Sequence, residues 1–304
     1  RTAVLIGGAS GYAQKQMLRR GPHIIVSTPG RLADHLQQKN LSLHNIKIVV
    51  LDEADRMLDI GFLPQIRQIL GMIPRDRQTL MFSATIPQAI AEIAARYMKI
   101  PLRIEVAPSG TAAKNVEQEL FIVNKESKMQ LLDKILADNR GSVLLFSRTK
   151  HGAKKITIAV RAMGHSVSEI HSNKSLAQRK MALEGFKTGK HRVLVATDIA
   201  SRGIDVTGIS LVINYDLPDN SEDYVHRIGR TGRAESFGKA ISFATSEERG
   251  DIRQIERLIK KTIPIISLPV LPPRRVNIAQ NFVETSRQNN RVGLAGYQGR
   301  GRGR

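Results

Sequence analysis

Short apolar runs alternate along most of the chain with longer segments whose apolar residues recur at helical spacing. The apolar runs include HIIVSTP, IKIVVLDEAD, QTLMFSAT, SVLLFSR, HRVLVATD and SLVINYD, and the intervening segments include PQAIAEIAARYM and SKMQLLDKILADN. Near-continuous apolar runs are typical of strands covered on both faces, and the longer period is typical of helices that pack on them. The pattern therefore predicts an α/β protein with parallel sheets.

The pattern lapses once inside the chain, in EVAPSGTAAKN, among Pro, Gly and small residues. Such a composition is typical of a linker, which we place at 109–116. The sequence therefore predicts a first domain at 1–108 and a second domain at 117–263.

The composition of the chain changes after Pro264. Residues 251–304 contain 11 Lys and Arg against 3 Asp and Glu, and the chain ends YQGRGRGR. Too few apolar residues remain for a core, so we predict a disordered basic tail at 264–304. An Arg-Gly tail suits RNA through charge and guanidinium stacking, although a solvated linker would have the same composition.

The composition narrows the class of partner. With 304 residues the chain is long enough for two domains, and 47 Lys and Arg against 27 Asp and Glu give a net charge of +20. This excess indicates a polyanion, nucleic acid before membrane, and the alternative is a charged surface that only aids solubility. The chain has no Cys, its eight His are scattered, and no apolar run could span a bilayer. We therefore expect a soluble cytoplasmic protein without a zinc site or a membrane partner.

Acidic and hydroxyl side chains follow two of the apolar runs in the first half. Asp52 and Glu53 come directly after IKIVVL, and Ser83 and Thr85 follow TLMF about thirty residues later. Open α/β sheets bind ligands at the carboxyl ends of their strands. Asp52 could therefore hold a magnesium ion and Glu53 could polarise the water that attacks a γ-phosphate, whereas a lone acidic pair would be only a helix cap.

Another strand-to-helix junction suits a phosphate group. Thr28 and Arg31 lie in STPGR after an apolar run, where helix amides, a hydroxyl and a guanidinium meet. Gly8 belongs to a Gly-Gly pair after AVLI, which permits close backbone approach but is also typical of a plain turn.

The second half is marked by arginines. HRIGRTGR at 226–233 places Arg230 and Arg233 three residues apart, so on a helix they would share a face and could meet the charge of a transferring phosphoryl group. VATDIASRGID follows a strand, where Gly203 permits close approach and Asp205 could accept a hydrogen bond from a ribose hydroxyl. LLFSRT brings Arg148 to the end of another strand.

Taken in order, GG, TPGR, DEAD, SAT, FSRT, TDIASRGID and HRIGRTGR resemble the DEAD-box RNA helicases, the bacterial members above all, over about residues 1–263. The resemblance implies two RecA-like domains, of which the first is incomplete here, that close on ATP and single-stranded RNA. It implies ATP hydrolysis coupled to local duplex unwinding, with ATP and Mg²⁺ as cofactors and RNA held by its backbone. Ribosomal and RNA-decay proteins are candidate protein partners, and the sequence does not give the oligomeric state.

The resemblance also assigns roles. It implies a magnesium and hydrolysis role for Asp52 and Glu53, and a role for Ser83 and Thr85 in coupling hydrolysis to RNA. From the second domain it implies an ATP-site role for the residues Gly203, Asp205, Arg230 and Arg233, with His226 in the network between the domains. The implied RNA contacts are Gly8, Thr28, Arg31, Arg148, Arg179 and Thr197.

Two departures from the family pattern affect these expectations. Leu176 stands where the family usually has Gln three residues before Arg179, and Gln178 is adjacent to Arg179 instead. No G-x-x-x-x-G-K-[ST] string occurs, and the chain begins with Arg1. We therefore expect an N-terminally truncated member that exposes strand edges and, as supplied, neither hydrolyses ATP nor unwinds RNA.

Two other functions are compatible with parts of the sequence. An ATP-independent RNA clamp or annealer would use the basic surface and tail but would not need the DEAD, SAT and arginine motifs. A DNA helicase would share the phosphate-gripping site, since RNA differs from DNA there only in its 2′-hydroxyls and helix shape.

Overall fold

The computed structural model describes residues 1–105, 115–198, 206, 208–232 and 237–273. The chain forms two compact units, Arg1–Ser109 and Gly110–Arg304. Among the residues described, no helix combines the length and apolar character needed to cross a membrane. The division proposed from the sequence, at 1–108, 109–116 and 117–263, stays a prediction, and strand β5 of the second unit already begins at Val116.

The first unit alternates short strands with helices. Its elements are β1 (Thr2–Leu5), α1 (Gly11–Arg19), β2 (Ile24–Ser27), α2 (Pro29–Gln37), β3 (Ile48–Leu51), α3 (Ala54–Asp59), α4 (Leu63–Met72), β4 (Gln78–Met81) and α5 (Gln88–Tyr97). The strands form two parallel pairs, β1 with β2 and β3 with β4. These pairs are separate sheets in the part of the chain that the structure describes.

Each strand pair of the first unit is covered by helices on one face and leaves apolar side chains exposed on the other. Ala3 and Leu5 are fully buried, while Val4 between them is 41% exposed. In β3, Ile48 and Val50 are 60% and 55% exposed. Since alternate strand residues point to opposite faces, one face of each strand pair is left uncovered by the residues that the structure describes.

The second unit has a complete sheet. Its elements are β5 (Val116–Ile122), α6 (Lys128–Asp138), β6 (Val143–Phe146), α7 (Lys150–Ala162), β7 (Val167–Ile170), α8 (Leu176–Lys187), β8 (Val193–Ala196), β9 (Leu211–Asn214), α9 (Ser221–Ile228), β10 (Gly238–Ala244), a 3₁₀ turn (Ser246–Glu248) and α10 (Arg249–Ile259). Six parallel strands lie in the order β5-β10-β9-β6-β8-β7. The α/β class with parallel sheets is therefore confirmed.

Both faces of this sheet are covered, which explains the uninterrupted apolar runs in the sequence. Leu144 and Phe146 of β6 pack with residues of α8, α9 and α10, whereas Val143 and Leu145 pack with residues of α6 and α7. Every residue of β6, β8 and β9 is buried. The polar residues that follow these strands are thus brought to one edge of the sheet.

The prediction that the disordered tail begins at 264 was wrong for its first ten residues. The Leu120 amide donates to the Pro264 carbonyl at 2.9 Å, and the Ile266 amide donates to the Leu120 carbonyl at 2.8 Å, so the chain bridges the outer side of β5. Gln130 donates to the Pro272 carbonyl at 2.7 Å. The backbone of this segment supplies hydrogen-bond partners to the open edge of β5. Such bonding does not depend on apolar side chains, so a segment with few of them can still be ordered. The remainder of the predicted tail, 274–304, lies outside the described residues.

Candidate functional site

In the first unit the carboxyl ends of β3 and β4 lie side by side. Leu51 pairs with Met81, and the contact continues beyond the strands, since the Ala54 amide donates to the Phe82 carbonyl at 3.0 Å. The DEAD segment and the SAT segment, some thirty residues apart in sequence, are therefore adjacent.

Asp55 joins these two segments. Its buried carboxylate accepts hydrogen bonds from the Thr85 amide at 2.8 Å, the Thr85 hydroxyl at 3.0 Å and the Arg56 amide at 2.9 Å. Ser83 Oγ accepts from the Asp55 amide at 3.0 Å and donates to the Thr85 carbonyl at 2.6 Å. Burial raises the pKa of Asp55, but the hydrogen bonds from Thr85, Arg56 and Ser83 outweigh it, and the pKa is lowered from its usual value. Thr85 thus bonds the ionised carboxylate of Asp55, and Ser83 bonds the backbone amide of the same residue.

Asp52 and Glu53 are exposed at the end of β3. Glu53 has a left-handed backbone conformation with φ of 49°, which is uncommon for a residue other than Gly, and its Oε2 accepts from Arg56 Nη1 at 2.7 Å. Asp52 Oδ1 accepts from the Glu53 amide at 3.0 Å. The strained backbone turns two acidic side chains outward at the edge where ligands of parallel sheets bind.

These residues fit a magnesium ion of the kind held together with a nucleotide. The described residues contain no group of three or more His, Cys, Asp or Glu side chains that could enclose a metal ion by themselves. Mg²⁺ beside a nucleotide is usually held by one or two carboxylates, and phosphate oxygens and water complete its shell. Asp52 is a suitable carboxylate because only its Oδ1 is engaged, by the Glu53 amide.

A buried polar network supports the glycine turn that follows β1. Gln14 of α1 is buried and donates to the carbonyls of Ile6 at 3.1 Å and Ala9 at 3.2 Å, and its Oε1 lies 3.3 Å from His35 Nε2 of α2. Gly8 has φ of 76°, and a Cβ added there would meet no atom within 4 Å. The turn therefore presents an open backbone surface on a fixed support.

Thr28 and Arg31 are held at the same turn. The Thr28 amide donates to the Leu5 carbonyl at 3.0 Å, and Thr28 is the N-cap residue of α2 without a capping bond from its hydroxyl. Arg31 Nε donates to the Ile6 carbonyl at 3.3 Å, and its Nη1 lies 3.5 Å from Asp34 Oδ2. The structure thus brings the three predicted RNA contacts of the first unit, Gly8, Thr28 and Arg31, to one place.

In the second unit, Arg227 contacts residues at the carboxyl ends of three strands, β6, β8 and β9. Its buried guanidinium donates to both oxygens of Asp198, with Nε to Oδ1 at 2.6 Å and Nη2 to Oδ2 at 2.8 Å. Nη1 donates to Asn214 Oδ1 at 3.2 Å and to the Asp216 carbonyl at 2.6 Å, and the guanidinium lies 4.9 Å from the centre of the Phe146 ring. Bidentate pairing and ring stacking are contacts that Lys could not reproduce.

Arg148 is paired with acidic groups at this edge. Its Nε lies 3.2 Å from Asp219 Oδ1, and its Nη2 donates to Glu248 Oε1 and to the Leu217 carbonyl, each at 3.2 Å. The side chain is still 41% exposed. An RNA phosphate would have to share Arg148 with these partners.

Arg179 and Thr197 occupy different positions. Arg179 of α8 donates from Nε to the Lys174 carbonyl at 3.1 Å and from Nη2 to the Ser172 carbonyl at 3.3 Å, so it holds the loop before its own helix. Thr197 directly follows β8, with its amide 3.3 Å from the Ile170 carbonyl. Gln178 forms a capping box with Ser175 at the start of α8, which explains why a polar residue stands beside Arg179.

The sequence left open whether Arg230 lies on a helix, and the structure places it in a turn that follows helix α9. Helix α9 ends at Ile228, and the Arg230 amide donates to the Arg227 carbonyl at 3.1 Å in a following turn. Gly232 has φ of 66°, and a Cβ there would come within 2.8 Å of Val116, so the turn requires glycine. His226 Nδ1 lies 3.9 Å from Asp223 Oδ1 of the same helix, and its implied role between the domains stays a prediction.

Three predicted site residues, Gly203, Asp205 and Arg233, lie outside the described residues.

Two residues that the sequence motifs did not single out are central in this geometry, Asp55 and Arg227. Each lies inside a recognised motif, DEAD or HRIGRTGR, within two positions of a residue that was singled out. Their burial was the missing information, because a buried charged residue needs a specific partner whereas an exposed one does not.

Comparison with known protein families agrees with this arrangement. Residues 1–93 match the DEAD/DEAH box helicase family, and residues 127–235 match the helicase conserved C-terminal domain. A DEAD box protein from the hyperthermophile Methanococcus jannaschii is 39% identical, with a TM-score of 0.50 over 88% of this chain and 72% of that one. The chain belongs to the DEAD-box helicase family, and the resemblance seen in the motifs is confirmed.

The chain is also similar to individual members of this family. It is 42% identical over 270 residues to the ATP-dependent RNA helicase DbpA of Bacillus subtilis (strain 168), covering 88% of this chain and 56% of that protein. The structure of S. cerevisiae Dbp5 bound to RNA and ADP BeF3 is 27% identical, with a TM-score of 0.77 over 96% of this chain and 73% of that one. The chain spans about half the length of the curated relatives that it matches.

Proposed function

We propose that this chain belongs to an ATP-dependent RNA helicase, in which RNA-stimulated ATP hydrolysis drives local separation of RNA strands. The observation that carries the proposal is the junction at Asp55, which bonds the DEAD segment to Thr85 of the SAT segment. A protein that only clamps RNA has no need for a carboxylate-rich strand end coupled in this way to a second motif.

Asp52 would hold a magnesium ion, which, when bound, neutralises phosphate charge during phosphoryl transfer. Glu53 would accept a hydrogen bond from the attacking water and so orient it, and its ion pair with Arg56 at 2.7 Å fixes where that carboxylate points. Asp55 lies in the first turn of α3, shortly after Asp52 and Glu53 in the sequence. A movement of either residue would therefore move Asp55, and with it Thr85, to which Asp55 is hydrogen-bonded. This connection is the route by which nucleotide state would reach the SAT segment.

RNA would be held by its backbone. In the first unit the open turn at Gly8, the hydroxyl of Thr28 and the guanidinium of Arg31 offer donors for phosphate and sugar oxygens but no edge-reading amide pair. Relatives whose structures contain RNA, Dbp5 with ADP BeF3 and Mss116p with ssRNA and AMP-PNP, support RNA and ATP as the ligands. In the second unit Arg227 is a structural residue, and the candidates for contact with the nucleotide stay Gly203, Asp205, Arg230 and Arg233.

The proposal is tested by strand separation on an RNA duplex with a single-stranded overhang. The protein under test is a longer version that places a G-x-x-x-x-G-K-[ST] segment ahead of residue 1, compared with its Thr85→Val variant. We expect separation only with ATP, and strongly reduced separation in the variant with ATP hydrolysis less affected, because Thr85 lies on the coupling path. Strand separation that is equal with and without ATP would favour the clamp, and equal competition by a DNA strand of the same sequence would favour a DNA helicase.

A further inference from the structure

One face of α10 carries a row of cations without acidic partners. The row consists of Arg249, Arg253, Arg257, Lys260 and Lys261, which we call the α10 stripe, and all five residues are exposed. No carboxylate within the described residues forms an ion pair with any of the five, in contrast to Arg148, Arg179 or Arg227, whose guanidiniums are already bonded. These are therefore among the cations that remain available for an external anion.

The stripe is fixed in position by the opposite face of the same helix. Ile252, Ile255 and Ile259 are buried in the core beneath the sheet. Because helical residues four apart lie on one face, burying these isoleucines directs Arg253 and Arg257 to solvent, about 6 Å apart along the axis. The apolar face is already used for packing, so α10 cannot insert it into a membrane in the manner of a surface-bound amphipathic helix.

The cations converge at the end of α10. Arg253, Arg257, Lys260 and Lys261 line a solvent-open depression of about 360 Å³ together with Glu256. Glu256 offsets only one of these four positive charges, and its Oε1 accepts from the Ile263 amide at 2.9 Å.

Lys260 stands at a backbone position that usually favours glycine. It is the C-cap residue of α10 and has φ of 53° and ψ of 35°, the left-handed conformation.

The stripe begins beside a predicted RNA contact. Arg148 donates to Glu248 Oε1 at 3.2 Å, and Glu248 is the N-cap residue of α10. A strand that reaches Arg148 could continue along α10, which is about 16 Å long. Continuity with the predicted site favours nucleic acid over an unrelated acidic protein.

We infer that the α10 stripe is a second, sequence-independent binding surface for the phosphate backbone of RNA, which extends the grip of the second unit beyond its motif residues. This inference rests on the proposed function only for the choice of RNA as the polyanion. It would lengthen the RNA that the protein holds without adding base recognition.

The test uses the full chain and a fluorescent poly-uridylate strand, with binding measured by anisotropy at several salt concentrations and without ATP. The variant is R253Q/R257Q/K261Q, and the matched control is K154Q/K155Q/R161Q, which removes the same charge from three exposed cations of α7. We expect the stripe variant to bind at least about tenfold more weakly at low salt. The slope of log affinity against log salt should fall by about 2, because each lost cation–phosphate contact on a single strand contributes about 0.7. The control should differ little in either quantity.

Two further measurements separate binding of RNA phosphates from other effects of the substitutions. R253K/R257K keeps the charges and should keep the parent slope, since backbone contact needs charge and not a planar fork. Vesicles containing phosphatidylserine should bind the parent and the stripe variant equally. An unchanged slope in the stripe variant, or a loss confined to vesicle binding, overturns the inference while leaving the helicase proposal intact. Failure of the parent chain to bind RNA at all would instead count against the proposed function.

Discussion

Replacing Arg227 by Met should destabilise the second unit more than any change of an exposed arginine. The side chain is 2% exposed and connects Asp198, Asn214, the Asp216 carbonyl and the Phe146 ring. Met fills a similar volume but leaves all the acceptors without their donor. The change therefore tests whether this network holds the strand ends together.

The expected loss of unfolding free energy can be judged from the Asp198 carboxylate, which the substitution leaves without its arginine partner. Breaking a buried ion pair by removing one partner costs about 3–5 kcal/mol, since the remaining charge is buried without compensation. Asp198 is 22% exposed and can regain some water, which places the expected loss near the lower end, at about 3 kcal/mol. For a unit of this size a loss of about 3 kcal/mol lowers the melting temperature by about 6–12 °C.

Thermal unfolding of the full chain, followed by far-UV circular dichroism and by hydrogen exchange of peptides from β6, β8 and β9, measures this loss. Arg227→Lys should lie between the parent and the Met variant, because Lys keeps the charge but not the bidentate geometry. Arg257→Met on the exposed face of α10 is the matched control and should change stability by no more than about 0.5 kcal/mol. A Met variant of Arg227 as stable as that control would refute the assigned role.

Three other predictions concern the first unit. Asp55→Ala should increase hydrogen exchange at the Thr85 amide by about tenfold or more, since that donor loses a charged acceptor worth about 1.5–3 kcal/mol; unchanged exchange would mean that Asp55 does not hold the SAT segment. Burial, followed by the charges of neighbouring cations, lowers the pKa of His35 from its usual 6.5, so stability from the neutral ring is present above that value and declines as pH falls below it. The difference in denaturation midpoint between pH 7.5 and 5.5 should therefore be smaller in His35→Gln than in the parent, and an equal difference would contradict this assignment. The exposed apolar faces should bind a dye such as ANS, and Ile24→Lys with Val50→Lys should reduce both dye binding and aggregation without loss of folded structure; dye binding that is the same in both proteins would locate the apolar surface elsewhere.

The sequence predicts the fold well because the relevant signals are local. Each apolar run became a strand, and runs with no polar interruption, such as VLLF and VLVA, became strands buried on both faces. The polar residues directly after those runs lie at the expected edge of the sheet for the same reason. The apolar pattern shows where each strand ends, and parallel strands all end at the same edge of the sheet, so the residues that follow them can be placed from the sequence.

The bonding within the site depends instead on contacts between distant residues. Asp55 and Thr85 are 30 positions apart, and Arg227 and Asp198 are 29 positions apart, so no local pattern shows that they pair. The spacing of the arginines alone does not show where helix α9 ends, because the following turn depends on the C-cap residue Gly229 and on Gly232, whose φ is 66°. The segment after Pro264 was misjudged because its order comes from backbone bonds to Leu120, far earlier in the chain.

The central claim is that the carboxylates after β3 perform ATP hydrolysis that RNA stimulates. Its most direct test is the steady-state ATPase rate, with and without single-stranded RNA, of this chain and of the longer version with a G-x-x-x-x-G-K-[ST] segment ahead of residue 1. We expect no appreciable turnover by this chain, RNA-stimulated turnover by the longer one, and loss of that turnover by orders of magnitude in its Glu53→Gln variant, in which RNA binding persists. RNA binding without any ATPase activity in the longer protein, or full activity in the Glu53→Gln variant, would contradict it.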